Sequence, residues 1–147
     1  MKNLETVFMG VDVSKRTLDF CIHDTQQNKS YLIKNSEKEI KKLFNKYASC
    51  SSCIIVGVEN TGRYNWPMYH ALIGMDIKLY VISPLHLKRS LGLVRGKNDK
   101  IDAERIMVFI KKHYGELTPW RSPRQQVQKL KILLTERKSI IKMKRQL

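Results

Sequence analysis

Four acids in this chain have the type and placement to hold a divalent cation. Asp12 stands inside an apolar run, Met9-Gly10-Val11-Asp12-Val13. A carboxylate is costly to bury in a strand unless it is paired or binds a metal. Glu59 closes a second apolar run, Ile54-Ile55-Val56-Gly57-Val58. Asp99 and Asp102 are three residues apart, so on a helix they share a face. Brought together, such carboxylates repel one another unless cations sit between them. Hard oxygen donors select Mg2+ or Mn2+ over zinc or copper. Two such ions could clamp the attacking and leaving oxygens of a phosphodiester. Each acid also has a plainer reading. Asp99 and Asp102 could oppose a helix dipole, and Glu59 could end a strand in solvent.

Cations lie close to these acids in sequence. Lys15 follows Asp12 in a polar break and could steer a phosphate or simply be solvated. Arg63 and Tyr64 follow Glu59 and could grip a nucleic-acid backbone or stack on a base. Lys88, Arg89, Arg95 and Lys97 precede Asp99 and are the foremost candidates for phosphate contacts, with surface solubility as the plainer reading. Trp66 and Trp120 are expected to serve packing. His70, His86 and His113 are isolated, which argues against a metal role.

The charge of the whole chain agrees with a polyanionic partner. It carries 28 Lys and Arg against 13 Asp and Glu, a net of +15. Residues 1–85 hold a net of only +3, and residues 86–147 hold +12. Neutralising phosphates with such an excess releases counterions, so DNA or RNA is the expected partner. No apolar run is long enough to span a bilayer, and the first residues lack a signal-peptide core, so a cytoplasmic protein with no membrane partner is expected. Three cysteines are present. Cys21 lies in an apolar run, as a core residue would. Cys50 and Cys53 have C-x-x-C spacing but lack the second ligand pair a zinc site requires.

The elements that must position the acids follow from periodicity. Residues 7–13 read as a strand, and residues 17–23 as a second, with Leu18, Phe20 and Ile22 alternating. A shorter third strand is expected over 30–33. Ser36 and Glu39 have capping-box spacing and open a helix reaching residue 47, with Ile40, Leu43, Phe44 and Tyr47 on one face. Residues 54–58 read as a central strand buried on both faces. A helix over 65–73, ended by Gly74, leads to a strand over 77–82. Ser83-Pro84 then caps a short helix, and a basic loop precedes a helix over 99–114, begun by Asn98. Ala103, Ile106, Met107, Ile110 and Tyr114 form its apolar stripe. A last helix runs over 123–147, with Val127, Leu130, Leu134 and Ile141 at heptad spacing and Arg137 breaking the seam. The pattern stops without a cap, so more protein is expected to follow.

Three antiparallel strands followed by two buried strands alternating with helices make an α/β fold. They match a mixed five-stranded sheet flanked by helices, the ribonuclease H-like arrangement. In that topology the first strand is central, the strand ending at Glu59 lies beside it, and the helix bearing Asp99 and Asp102 crosses the same region.

Three blocks then carry a family resemblance: Gly10-Val11-Asp12-Val13-Ser14-Lys15, Glu59-Asn60-Thr61-Gly62-Arg63-Tyr64 and Lys97-Asn98-Asp99-Lys100-Ile101-Asp102-Ala103. In that order the chain resembles the DEDD-type transposases of bacterial insertion sequences, insertion-sequence family one-ten, whose relatives include the pilin-gene inverting recombinases. The resemblance covers about residues 7–120. Ser83-Pro84 departs from the expected Asn-Pro, and Asn60 stands where a small residue is commoner; neither is a proposed ligand. The resemblance implies a RuvC-like catalytic domain over residues 1–120, with Asp12, Glu59, Asp99 and Asp102 as catalytic residues and metal ligands. It implies that residues 121–147 begin a basic coiled-coil linker, through which a homo-oligomer would form. A further C-terminal domain bearing a serine nucleophile, absent here, would follow. It also implies DNA strand cleavage and transfer, and a structured guide RNA as partner, with the fragment inactive alone.

Three other readings stay open. A Holliday-junction resolvase-like nuclease would be complete in one domain. A non-catalytic nucleic-acid-binding module would keep the acids without chemistry. Actin-like ATPases and sugar kinases also open with an Asp-bearing hairpin, but they need a second Gly-rich phosphate hairpin, which this sequence lacks.

Overall fold

The computed structural model describes residues 5–25, 27–91, 99–122 and 125–147. Strand β1 (Thr6–Val13) alternates strictly. Val7, Met9, Val11 and Val13 enter one core, and Phe8, Gly10 and Asp12 face the other way. The Ser14–Arg16 turn is tied by the Ser14 hydroxyl, which donates to the Thr17 carbonyl at 2.8 Å and accepts from the Thr17 amide at 3.2 Å. It returns the chain into β2 (Thr17–Asp24), antiparallel to β1, where Leu18, Phe20 and Ile22 are buried as the alternation predicts.

Strand β3 (Gln27–Lys34) is longer than the expected 30–33 and pairs with β2 along its whole length. The polar residues 27–29 take part because β3 is an edge strand, half in solvent. Lys29 adds an ion pair with Asp24 at 3.0 Å. Helix α1 (Glu37–Ala48) starts at Ser36, whose side chain accepts from the Glu39 amide, and buries Ile40, Leu43, Phe44 and Tyr47.

β4 (Cys53–Glu59) runs parallel to β1 and inserts beside it. Its end leads into a 3-10 turn over Gly62–Asn65 and then α2 (Trp66–Leu72). The helix expected over 65–73 is thus α2, preceded by a 3-10 turn that takes in Asn65, with Pro67 in the first turn of α2, where it fits without losing a helical hydrogen bond. Gly74 follows α2 with φ +80°, the left-handed conformation that favours glycine. β5 (Ile77–Ile82) is parallel to β4. α3 (Pro84–Leu91) opens at Ser83, whose hydroxyl accepts from the His86 amide at 3.1 Å. Next come α4 (Asp99–His113) and a 3-10 turn over Tyr114–Glu116. The last helix is α5 (Gln125–Gln146); residues 123 and 124 of the expected helix lie outside the described residues.

The sheet order is β3-β2-β1-β4-β5. α1 and α2 cover one face, with Ile40, Phe44, Met68 and Leu72 among the buried residues. α3 and α4 cover the other through Leu87, Ile106, Phe109 and Ile110. This is the expected mixed sheet between helices.

Two glycines let α4 lie directly on the sheet. A Cβ on Gly10 would run into the Ala103 carbonyl and the Met107 backbone nitrogen. A Cβ on Gly57 would stand 3.0 Å from Cβ of Ile110. Phe8 packs its ring 5.6 Å from that of Tyr114. Tyr114 lies over Phe8 and Ala103 over Gly10, so α4 runs antiparallel to β1. Its first turn therefore lies at the Asp12 end of the strand.

Candidate nucleic-acid-processing site

Asp12 and Glu59 reach the same place by strand register. The β1–β4 pairing ends at Val11 opposite Val58, so Asp12 and Glu59 are the next residues on each strand. Alternation turns both toward α4. Val11 and Val58 are fully buried on the α1–α2 face, and Gly10 and Gly57 meet α4. Both acids are half-buried.

Asp102, in the first turns of α4, completes the approach from above. Its carboxylate raises the Glu59 pKa, although burial of Glu59 is the larger cause; the Lys88 ammonium on α3 partly opposes both. Arg105 reaches the Asp102 carboxylate at 3.4 Å from the next turn. The side chain of Asp99 lies outside the described residues, as do Arg95, Lys97 and Asn98. Lys88 and Arg89 are exposed on α3.

The donor chemistry suits a hard cation. The acids are oxygen ligands, and Glu59 carries a penalty for ionisation that a nearby cation would remove. Among the described residues no three His, Cys, Asp or Glu side chains form a group able to hold a metal. A full ligand set therefore needs Asp99, or a closer approach of Asp12 to the Glu59–Asp102 pair.

Sequence reasoning passed over one neighbouring acid. Asp19 sits directly opposite Asp12 in the β1–β2 pairing, so both point to the α4 face. The alternation of Leu18 and Phe20 puts Asp19 on the opposite face of the strand, but only the pairing sets it beside Asp12.

The backbone beneath Glu59 is fixed by a buried amide. Asn65 is fully buried. Its Nδ2 donates to the Glu59 carbonyl and to the Tyr69 hydroxyl, each at 3.1 Å. Its Oδ1 accepts from the Thr61 hydroxyl. Tyr69 in turn stacks on Trp120, with ring centroids 4.3 Å apart, and the Trp120 amide donates to the Leu79 carbonyl at 2.6 Å. Trp66 packs edge-on against Tyr69. Both tryptophans thus serve packing, as expected.

Beside the acids is a cationic rim. Arg63 is exposed, lies over the Tyr64 ring at 5.3 Å, and donates to its hydroxyl at 3.4 Å. The Tyr64 pKa is lowered, first by that hydrogen bond, then by the Arg63 charge, with a smaller contribution from Lys15. Lys15, Arg63 and Tyr64 therefore share one end of the sheet.

The histidines have structural surroundings. His86 and His113 pack on Phe109, and His70 faces Glu37 at 3.3 Å. Cys21 is buried, Cys50 is exposed and Cys53 is half-buried, all three as free thiols. Among the described residues no helix is long and apolar enough to cross a membrane.

Comparison with known proteins bears on the fold and the family. T. thermophilus RuvC, solved in complex with a Holliday junction substrate, is similar in fold at 14% identity and a TM-score of 0.50. The match covers 79% of this chain and 100% of that one. The ethanolamine utilization protein EutJ from Carboxydothermus hydrogenoformans matches at 13% identity and a TM-score of 0.38, over 65% of this chain and 44% of that one. No curated protein matches. A family model described as Transposase, that of the DEDD transposases of insertion-sequence family one-ten, matches residues 9–147. The chain has a RuvC-like, ribonuclease H-like fold and belongs to this transposase family.

Proposed function

We propose that residues 1–120 form the metal-dependent catalytic domain of a DNA transposase or site-specific recombinase, and that residues 121–147 begin a basic helical linker. Asp12, Glu59, Asp99 and Asp102 are the ligands for Mg2+ or Mn2+. Bound there, the metal would supply an activated water and neutralise charge on a scissile phosphate. The protein's own residues do the rest. The ends of β1 and β4 carry Asp12 and Glu59, and α4 carries Asp99 and Asp102 toward them. Lys15, Arg63, Tyr64, Lys88, Arg89, Arg95 and Lys97 hold the nucleic-acid backbone. A structured guide RNA is the second polyanion that the basic half would bind, and α5 would join two copies. The work is cytoplasmic, on the cell's DNA.

The observation that carries this reading is the register of Asp12 with Glu59 on adjacent parallel strands, under the first turns of α4. Mn2+ binding, followed by electron paramagnetic resonance in the presence of DNA, tests it. Asp12→Asn should weaken Mn2+ binding by about tenfold or more, since loss of even an outer-shell partner of a metal ligand costs about that much. Equal binding by Asp12→Asn and the unsubstituted chain would leave a nucleic-acid-binding module without this chemistry. The likeness to RuvC makes a four-way junction the second substrate to try. Metal-dependent cleavage of it by this chain alone would favour the resolvase-like alternative.

A further inference from the structure

Asn35 links the two loops that follow the two strand acids. It lies between β3 and α1, far in sequence from both. Its amide donates to the Arg16 carbonyl at 2.9 Å. Its side-chain Nδ2 donates to the Ser14 carbonyl at 2.9 Å and to the Tyr64 carbonyl at 3.0 Å. One carboxamide therefore bridges the turn after Asp12 and the turn after Glu59.

The orientation of this carboxamide follows from its partners. Two carbonyl oxygens face the same atom, so that atom must be the donor nitrogen. The other end is less well served. Asn35 Oδ1 is buried and, among the described residues, has no hydrogen-bond partner. A buried acceptor left unpaired is unfavourable. The position thus accepts a local cost while making two donations that an aspartate or an alanine could not make.

The consequence concerns the cationic rim. Lys15 lies in the turn on one side of the bridge, and Arg63 with Tyr64 lies in the turn on the other. Unbridged, each turn would move with its own strand end. Bridged, they present their charges as one surface.

We infer that Asn35 is a positioning residue that latches the Ser14–Arg16 turn to the Arg63–Tyr64 turn, so that Lys15 and Arg63 engage one nucleic-acid backbone as a unit. This rests on the proposed function, since it takes the rim to be a phosphate-contacting surface.

The test pairs hydrogen exchange with DNA binding on the full chain. Asn35→Asp keeps the shape but sets a carboxylate oxygen against two carbonyls; Asn35→Ala removes the bridge without adding charge. Both variants should speed amide exchange about tenfold in residues 14–17 and 61–65 together, the scale of a lost hydrogen bond or two. Exchange in β4 and α4 should stay unchanged and report that the fold is intact. Affinity for a short fluorescein-labelled DNA duplex is then measured against salt. The slope of log affinity on log salt should shrink by about two for loss of two phosphate contacts. A merely structural role would not change that slope in the folded protein. Faster exchange in only one turn, or in neither, overturns the latch. Faster exchange in both with an unchanged slope overturns its role in DNA binding. If the unsubstituted chain shows no salt-dependent DNA binding, the proposed function fails and the role in binding fails with it. The exchange data would still report whether the bridge exists.

Discussion

Helices α4 and α5 look alike in sequence and have opposite positions in the molecule. Both carry large apolar residues at helical spacing, although α4 is nearly balanced in charge and α5 is strongly basic. In α4, Ala103, Ile106, Met107, Phe109 and Ile110 are all buried against the sheet. In α5, Leu130, Leu133 and Ile140 are 56%, 61% and 60% exposed. The difference lies less in the helices than in what the strands offer them. Gly10 and Gly57 form a groove in β1 and β4 into which the α4 backbone fits, with Ala103 at the closest approach. An apolar stripe becomes core only where a complementary surface exists. The functional consequence is direct. Close packing fixes α4 along β1 and so fixes where Asp102 stands relative to Glu59. Helix α5 positions nothing in the described chain.

The most severe way to break this comparison is to fill the groove. Gly10→Val would drive two methyl groups into the backbone of α4 at Ala103 and Met107. Relief requires the whole helix to lift, not one side chain to rotate. We expect a loss of about 3 kcal/mol or more, at the upper end for overpacked cores, read from urea denaturation. A loss under about 1 kcal/mol would mean that α4 slides freely on the sheet and does not fix the acids.

A smaller effect of opposite sign is expected at the site itself. Glu59 has its pKa raised by burial and by Asp102. The folded state therefore holds this proton more tightly than the unfolded chain does. Ionised Glu59 costs stability, and that cost appears as pH rises from the ordinary carboxylate range through the raised value. Glu59→Gln should then stabilise the metal-free protein above that window and leave it unchanged well below it. Thermal melts at acidic and neutral pH check the sign. Mg2+ should stabilise the original protein and not the variant. A variant less stable at neutral pH would show that Glu59 is held by favourable partners and is not strained by a neighbouring acid.

Much of this arrangement was legible before the fold was known. The apolar runs around Asp12 and before Glu59 gave both strands, and Ser36 and Ser83 gave two helix starts. The buried face of α1, Ile40, Leu43, Phe44 and Tyr47, follows residue by residue from the helical spacing. The missed features share a cause. Residues 27–29 are polar and join β3 only because β2 supplies a full-length partner. Asp19 acquires meaning only from its pairing with Asp12. In sequence Asn35 reads as a turn residue and Asn65 as the start of a helix, and their hydrogen bonds to the Tyr64 and Glu59 carbonyls join residues 29 and 6 positions apart. The roles of Asp99, Arg95 and Lys97 rest on sequence, since these side chains lie outside the described residues.

The mildest prediction tests α5 and separates its two possible meanings. Leu130→Glu with Leu134→Glu places two charges on side chains that are already about half exposed. Surface substitutions of this kind shift stability by about 0.5 kcal/mol or less each, whereas deleting a buried leucine costs about 2–5 kcal/mol. The denaturation midpoint of the domain, followed through the Trp66 and Trp120 fluorescence, should therefore barely move. Self-association should change much more. Val127, Leu130 and Leu134 share heptad spacing, and a second copy of α5 would bury them as a paired seam. Sedimentation over a range of concentrations should show association by the original chain and a monomer for the doubly charged one. If the midpoint falls as for a core residue, α5 packs on its own domain and the contrast with α4 disappears. If the midpoint holds and both chains remain monomeric at every concentration, the apolar face of α5 does not pair with a second copy, and the proposed route to an oligomer is wrong.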